Sequence, residues 1–207
     1  MDSSDSKVYL IEKPIEYETV DLGLPSGTIW MKYWLVDKNN DDLFFQWGDT
    51  KGWRLKDVER GKKIFDGENY KYLNFEDYTF NKYVNENGGI LETSDDAVLL
   101  STQGKFKMPT KEQIQELREN TTLSYSGYTI QLISKENGER LYIYNTGIFG
   151  TDAIIDNAMI LSNEYGEYGD FAIALYRNVM SSNNISIGDQ YNRGVAPGIT
   201  LKGVLNQ

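Results

Sequence analysis

The chain of 207 residues contains no cysteine and no histidine. Without cysteine it can form no disulfide, thiol nucleophile or zinc–thiolate site, and no lipid can be attached to an N-terminal cysteine. Without histidine it has no imidazole to act as a general base. Most common enzyme mechanisms depend on one of these side chains. The composition therefore favours a protein that binds over one that catalyses.

Positive charge is also scarce in this sequence. The chain has 21 Lys and Arg residues against 31 Asp and Glu residues, which gives a formal net charge of −10. No face rich in lysine or arginine stands out. Because binding to phosphates needs a concentrated positive field, we expect no nucleic-acid partner.

Long apolar runs are missing too. No segment is long enough to span a bilayer, so we expect no membrane insertion. The polar start, MDSSDS, lacks the basic region and apolar run of a signal peptide. We therefore expect a protein that is made in the cytoplasm and leaves it only within a virion or by a leaderless route.

The most informative stretch of the chain is residues 20–30, VDLGLPSGTIW. Val20, Leu22 and Leu24 alternate with other residues, which is typical of a strand with one buried face. The Pro-Ser-Gly that follows favours a turn, because proline fixes φ and glycine permits positive φ. Thr-Ile-Trp then resumes an extended run. The stretch therefore predicts a β-hairpin.

The clearest helix signal lies after residue 109. Thr110 followed by Gln113 is a capping box, in which each side chain bonds the backbone N–H of the other. Ile114 and Leu117 form one apolar stripe beyond it. We predict a helix that ends near Asn120, with its charged residues facing water.

Other segments predict strands, turns and loops. Residues 128–133 and 141–144 alternate like hairpin strands around a turn at 136–139. Residues 171–176 predict a further strand. Residues 51–92 are weakly patterned, and there we expect long loops with one helical stretch near residues 75–84.

Four separated segments together resemble one protein family: residues 20–30, 45–50, 104–117 and 192–197. The third contains Met-Pro-Thr-Lys at the helix start, and the last reads Asn-Arg-Gly-Val-Ala-Pro. They resemble the C-type-lectin-like module of gut bacterial surface proteins and their phages, which is related to the sulfatase-modifying-factor group. The resemblance implies an α+β fold with mixed, mostly antiparallel sheets, one or two helices and long loops. It divides the chain into an N-terminal extension over residues 1–19, expected to dock on a partner, and a C-type-lectin-like domain over residues 20–207.

Two departures from the family pattern matter. Ala196 stands where the family commonly has a second arginine, and Ile-Leu-Ser-Asn at residues 160–163 replaces a Trp-Ser-Ser string. Formylglycine-generating enzymes of the related group need reactive cysteines, which this chain lacks. The resemblance therefore implies a binding scaffold without that activity.

The family's fold implies that ligand-binding residues lie on loops near the C-terminal strands, here residues 163–170 and 178–192. Tyrosine rings there offer stacking surfaces, and asparagine and glutamine offer adaptable hydrogen bonds. Ordinary loop composition is the alternative interpretation. The predicted ligand-binding residues are Tyr165, Tyr168, Asn183, Asn184, Gln190, Tyr191 and Asn192.

Carboxylates raise two further possibilities. Glu164, Glu167 and Asp170 could supply oxygen ligands to Ca²⁺, but their spacing is not that of an EF-hand, so we predict no cofactor and no metal site. The adjacent acids Asp95–Asp96 and Asp41–Asp42 are weak candidates for glycoside hydrolysis, because neighbours on a chain seldom face each other across a substrate.

The leading functional hypothesis is a non-enzymatic phage virion component, such as a capsid decoration, head-fibre or tail-adhesin subunit. Its extension would dock on other virion proteins, and its C-terminal loops would attach to a host-surface glycan or protein. A homo-oligomer is possible. The first alternative is a bacterial surface or secreted adhesin of the same fold. The second is a divergent carbohydrate-active enzyme that uses carboxylates.

Overall fold

The computed structural model describes residues 15–54, 65, 67–126, 129–144, 147–149, 153–154, 159–169, 171–177, 185–193 and 198–207. Over these residues the chain is α+β, with short strands and two α-helices. The helices are α1 (Ala97–Ser101) and α2 (Lys111–Glu119), and 3₁₀ turns occur at Thr93–Asp95 and Glu167–Gly169. The strands are β1 (Thr19–Asp21), β2 (Ile29–Met31), β3 (Leu43–Phe45), β4 (Trp53–Arg54), β5 (Leu73–Asn74), β6 (Thr79–Phe80), β7 (Gly89–Ile90), β8 (Phe106–Lys107), β9 (Thr121–Ser126), β10 (Thr129–Ser134), β11 (Arg140–Tyr144), β12 (Gly147–Phe149), β13 (Ala153–Ile154), β14 (Met159–Tyr165), β15 (Phe171–Arg177), β16 (Ile185–Asn192), β17 (Gly198–Thr200) and β18 (Val204–Leu205).

These strands form several small antiparallel sheets. Three sheets join distant parts of the chain, in the orders β1-β2-β18-β8, β13-β12-β17-β3-β4 and β16-β15-β14-β7. The other two have the orders β11-β10-β9 and β5-β6. The first and last described strands share one sheet, with Val204 opposite Trp30. The expected coarse class, α+β with mostly antiparallel strands, is therefore confirmed.

The stretch from residue 20 to residue 30 forms the predicted hairpin. β1 pairs with β2, with Val20 opposite Trp30. Val20, Leu22 and Leu24 are all buried. The Gly27 amide donates to the Leu24 carbonyl at 2.8 Å, and Gly27 has a φ of +73°. The alternating apolar residues are buried and the glycine forms the turn, as the sequence predicts.

Helix α2 also follows its sequence signal. Both bonds of the Thr110–Gln113 capping box are present, and Asn120 is the C-cap. Ile114 and Leu117 are fully buried and pack in an apolar cluster with residues of β1, β10, β11 and β15. One charged residue departs from the predicted solvent-facing set, since the Glu116 carboxylate accepts from the Ser26 amide at 2.7 Å. That bond ties the first hairpin to the helix.

The predicted helical stretch near residues 75–84 is wrong. Strands β5 and β6 pair there, with Leu73 opposite Phe80. The Asp77 carboxylate accepts from the backbone N–H of Thr79 at 3.1 Å, and Tyr78 has a φ of +57°. Because an Asp side chain can offer the backbone this local partner, a turn competes with the helix and prevails.

Residues 15–19 pack on the domain. Thr19 lies in β1, and the Lys32 amide donates to the Glu18 carbonyl at 2.8 Å. The Tyr17 ring packs edge-to-face with Phe106, with centroids 6.0 Å apart. The boundary drawn at residue 19 therefore falls inside a strand. Residues 1–14 lie outside the described part of the chain.

Candidate functional site

Two of the predicted binding residues lie in the protein core. Tyr165 ends β14 and Tyr191 lies near the end of β16, and their exposed fractions are 8% and 1%. The Tyr165 ring packs edge-on against Trp47 at 6.0 Å between centroids. The Tyr191 hydroxyl accepts from the Trp47 amide at 3.1 Å. The expectation of exposed stacking surfaces is thus wrong for both residues, because strands extend into the predicted loops and turn these rings inward.

The remaining predicted residues have no described side chains. Tyr168 belongs to the 3₁₀ turn Glu167–Gly169, and Gln190 and Asn192 belong to strand β16. Asn183 and Asn184 lie outside the described residues. Their role in binding stays a prediction.

The buried tyrosines belong to an aromatic core built around Arg193. We use "aromatic core" for Trp47, Tyr70, Tyr83, Tyr165, Tyr191 and Arg193, whose guanidinium lies over the rings of the first three. Arg193 is fully buried. Its guanidinium donates to the carbonyls of Tyr83 and Lys82, each at 2.8 Å, and also to the carbonyl of Gly169. It donates further to the Tyr70 hydroxyl at 3.1 Å. These bonds use four of the five N–H donors of the guanidinium, so Arg193 is a structural part of the aromatic core.

The adjacent acids have structural roles as well. The Asp96 carboxylate caps α1 through the Leu99 amide at 2.9 Å and accepts from the Met108 amide at 2.9 Å. The Asp95 carboxylate accepts from the Lys82 ammonium at 2.6 Å and from the Tyr83 hydroxyl at 2.5 Å. Burial opposes ionisation of Asp95, but these hydrogen bonds outweigh it and hold the pKa of the carboxyl well below its usual range. Both carboxylates therefore accept hydrogen bonds from within the fold.

The candidate site is a pocket of about 510 Å³ at the opposite end of the sequence from the predicted loops. One wall is the segment 15–18, and the other comes from the segment that follows β2. We call it the aromatic pocket. Its lining residues are Ile15, Glu16, Tyr17, Glu18, Tyr33, Trp34, Val36, Asn40 and Asp42.

Hydrogen bonds across the aromatic pocket hold its two walls together. The Tyr17 hydroxyl donates to the Val36 carbonyl at 3.2 Å. Partial burial raises the pKa of this hydroxyl, so it stays protonated and keeps donating. At the rim, the Lys32 ammonium lies 3.2 Å from a Glu18 carboxylate oxygen. The segment 15–18 is therefore a fixed wall of the pocket.

The second wall is a loop braced by Asp37. One Asp37 oxygen accepts from the amides of Asn39 and Asp41 at 2.8 and 3.0 Å. Backbone bonds from these neighbours to the carboxylate lower the pKa of Asp37. The Arg54 guanidinium lies 3.3 Å from its other oxygen. The brace fixes Asn40, whose φ is +64°, on the pocket lining.

Aromatic rings form the apolar part of the pocket. Tyr33 is 40% exposed and stacks on Tyr142 of β11, with centroids 6.1 Å apart and an angle of 17° between the rings. Trp34 is almost fully buried, and its indole N–H donates to Asp42 at 2.6 Å. Because each ring has a fixed partner, the pocket presents preorganised flat surfaces beside carboxylate and amide oxygens.

A buried amine lies behind the pocket. Lys202 is 4% exposed, and its ammonium lies 5.1 Å from the centre of the Trp34 ring. It donates to the carbonyls of Lys32 at 2.9 Å and Met31 at 3.4 Å. Burial lowers the pKa of this amine well below its ordinary value.

Sequence reasoning missed the pocket, although its signals are present. Two consecutive aromatics, Tyr33 and Trp34, break strand alternation, and an acid- and asparagine-rich loop follows them. The other wall, with Tyr17, lies in the segment that the sequence assigned to a docking extension. The pairing of β1 with β2 brings the two walls together.

We found no match to this chain among protein-family models, curated protein sequences or solved structures.

Among the described residues, no group of three or more acidic side chains is placed to hold a metal ion. The Glu164 carboxylate, one of the calcium candidates, accepts from the Lys111 amide at 2.7 Å. No helix in the described part of the chain has the length and apolarity needed to cross a membrane.

Proposed function

We propose that this chain is a non-catalytic binding protein of C-type-lectin-like fold that takes a glycan in the aromatic pocket. The observation that carries the proposal is the pocket itself, about 510 Å³ with aromatic rings beside Glu16, Asn40 and Asp42. The faces of sugar rings are apolar and their edges carry hydroxyl groups. The exposed ring of Tyr33 suits such a face, and carboxylate and amide oxygens accept from the hydroxyls.

The fold assignment within this proposal rests on the four sequence segments named above. The mostly antiparallel α+β class of the described residues supports it at the coarse level. The same resemblance suggests a phage virion component that attaches to a host surface, with residues before the domain docking on the particle. A bacterial surface adhesin would use the pocket in the same way.

The test is binding to an immobilised panel of neutral and charged oligosaccharides. We expect the full chain to bind at least one glycan, and Tyr33→Ala to lose at least tenfold in affinity. Phe75→Ala is the matched control, because Phe75 is also 40% exposed but lies on the β5–β6 turn. Failure to bind any glycan, or equal loss in both variants, would contradict the proposal.

The same panel separates binding from hydrolysis. We expect the bound glycans to be recovered uncleaved after long incubation with the chain. Release of shorter sugars that stops in Asp42→Asn would favour the carbohydrate-active enzyme instead.

A further inference from the structure

The charges of the aromatic pocket are unequal. Three carboxylates line it, those of Glu16, Glu18 and Asp42. Within the part of the chain that the structure describes, one cation forms an ion pair with them, Lys32 with Glu18 at 3.2 Å. The pocket therefore carries an excess of negative charge.

The buried amine of Lys202 does not balance this excess. Its ammonium donates to the backbone carbonyls of Lys32 and Met31. The indole of Trp34, which lines the pocket, lies 5.1 Å from it. Burial of this amine also favours its uncharged form.

We infer that the aromatic pocket selects sugars that carry a free amine, and this inference rests on the proposed glycan-binding function. An ammonium group is attracted by carboxylates and by the faces of aromatic rings, and the pocket offers both. Tyr33 stacks on Tyr142, so its ring is already oriented before a ligand arrives. An N-acetylated sugar with the same ring gains the stacking but not the charge attraction.

The test compares two hexasaccharides that differ only in acetylation: the glucosamine hexamer and the N-acetylglucosamine hexamer. Binding of each to the full chain is measured by calorimetry at low and at high salt. We expect the free-amine hexamer to bind about fivefold to tenfold more tightly at low salt, since one charge pair near 4 Å in water is worth about 1 kcal/mol. The preference should shrink at high salt.

A carboxylate variant assigns the preference to the pocket. Glu16→Gln keeps the shape of an exposed lining residue and removes its charge. We expect it to lower affinity for the free-amine hexamer about threefold to fivefold and to leave the acetylated hexamer unchanged. Glu112→Gln, an exposed acid of α2, is the matched control and should change neither.

Other outcomes separate failure of this inference from failure of the proposed function. Equal or tighter binding of the acetylated hexamer, or binding to neutral panel glycans alone, overturns the amine preference and leaves glycan binding standing. Absence of binding to every glycan overturns both. Tighter binding of hexalysine than of the free-amine hexamer also overturns the inference, because it assigns the pocket to a basic peptide.

Discussion

Two buried basic side chains in this chain lie against aromatic rings and backbone carbonyls, Arg193 in the aromatic core and Lys202 behind the aromatic pocket. Arg193 has a planar fork of donors, and its guanidinium bonds three carbonyls and the Tyr70 hydroxyl. Lys202 has two carbonyl partners and one ring. Neither forms an ion pair with another residue that the structure describes.

The difference in donor geometry decides what each basic side chain does for stability. A guanidinium stays charged and its fixed fork can be fully satisfied, so a buried arginine can organise a core. An ammonium with two acceptors is incompletely solvated and tends to lose its proton. We therefore expect Arg193 to stabilise the aromatic core and the buried amine of Lys202, behind the aromatic pocket, to lower stability.

The largest expected effect comes from removing the charge of the aromatic core. Arg193→Met leaves the carbonyls of Tyr83, Lys82 and Gly169 buried without their donor. We expect a loss of about 3–5 kcal/mol in the free energy of unfolding, measured by urea denaturation. Arg140→Met, at an exposed arginine, is the control and should cost less than about 1 kcal/mol. A loss of similar size in both variants would contradict the structural role of Arg193.

Substitution of two glycines separates the cost of close packing at the aromatic core from the cost of backbone strain. Gly169 and Gly27 have nearly equal φ values, +75° and +73°. A Cβ at position 169 would lie 1.8 Å from the Tyr83 carbonyl oxygen, whereas one at position 27 would meet nothing within 4 Å. We expect Gly27→Ala to cost about 1 kcal/mol for backbone strain alone. Gly169→Ala should cost at least about 2 kcal/mol more in the same denaturation experiment. Equal costs would mean that the approach of these two segments is looser than described.

Removal of the buried amine of Lys202 should increase stability, whereas the substitutions at Arg193 and Gly169 should decrease it. The ordinary pKa of Lys202 is 10.5, and burial lowers it well below that value. Below pH 10.5 the unfolded chain therefore binds this proton more readily than the folded chain. The penalty for folding grows as pH falls until the folded pKa is reached. Replacing the amine with an apolar side chain should remove that penalty.

We therefore expect Lys202→Met to raise the free energy of unfolding by about 1–2 kcal/mol at pH 8. The gain over the wild-type chain should shrink as pH rises through 10.5, because the unfolded wild-type chain then also loses this proton. Lys111→Met, at an exposed lysine, should change stability by less than about 0.5 kcal/mol at either pH. Destabilisation by Lys202→Met at pH 8 would show that the amine is well satisfied.

The smallest stability effect is expected in the pocket wall. Tyr33→Ala removes a ring that is 40% exposed and stacked on Tyr142. We expect a loss of about 1 kcal/mol or less, although the variant loses glycan binding. Tyr165→Ala, in the aromatic core, should cost about 3–4 kcal/mol by thermal unfolding. An equal loss of stability in Tyr33→Ala and Tyr165→Ala would contradict the contrast between an open pocket and a buried core.

Local signals predicted the parts of the fold that depend on neighbouring residues. The first hairpin and the capping box of α2 each lie within a dozen residues, and both formed as predicted. The turn near Tyr78 was missed because aspartate favours both such a turn and the first turn of a helix. The contact of Ser26 with Glu116 joins residues 90 positions apart, and no local sequence pattern predicts it.

The candidate site was harder to predict than the fold. Tyr165 and Tyr191 have the composition of a recognition loop, but the same residues serve in a core when strands extend through them. The two walls of the pocket lie in separate segments of the sequence and are brought together by the pairing of β1 with β2. Composition alone cannot distinguish an aromatic ring held in a core from one presented to a ligand, because the neighbours across the sheet decide which it is.

The most direct test of the account uses the indole N–H signals of the four tryptophans. In a ¹⁵N-labelled chain titrated with the glucosamine hexamer, each signal reports on one place in the molecule. The Trp34 indole bonds Asp42 in the aromatic pocket, and the Trp47 indole bonds the Ser162 carbonyl in the aromatic core. We expect the Trp34 signal to shift with saturation while the Trp47 signal stays in place. A saturable shift of Trp47 with Trp34 unmoved would contradict the account, since it would place the ligand at the C-terminal strands.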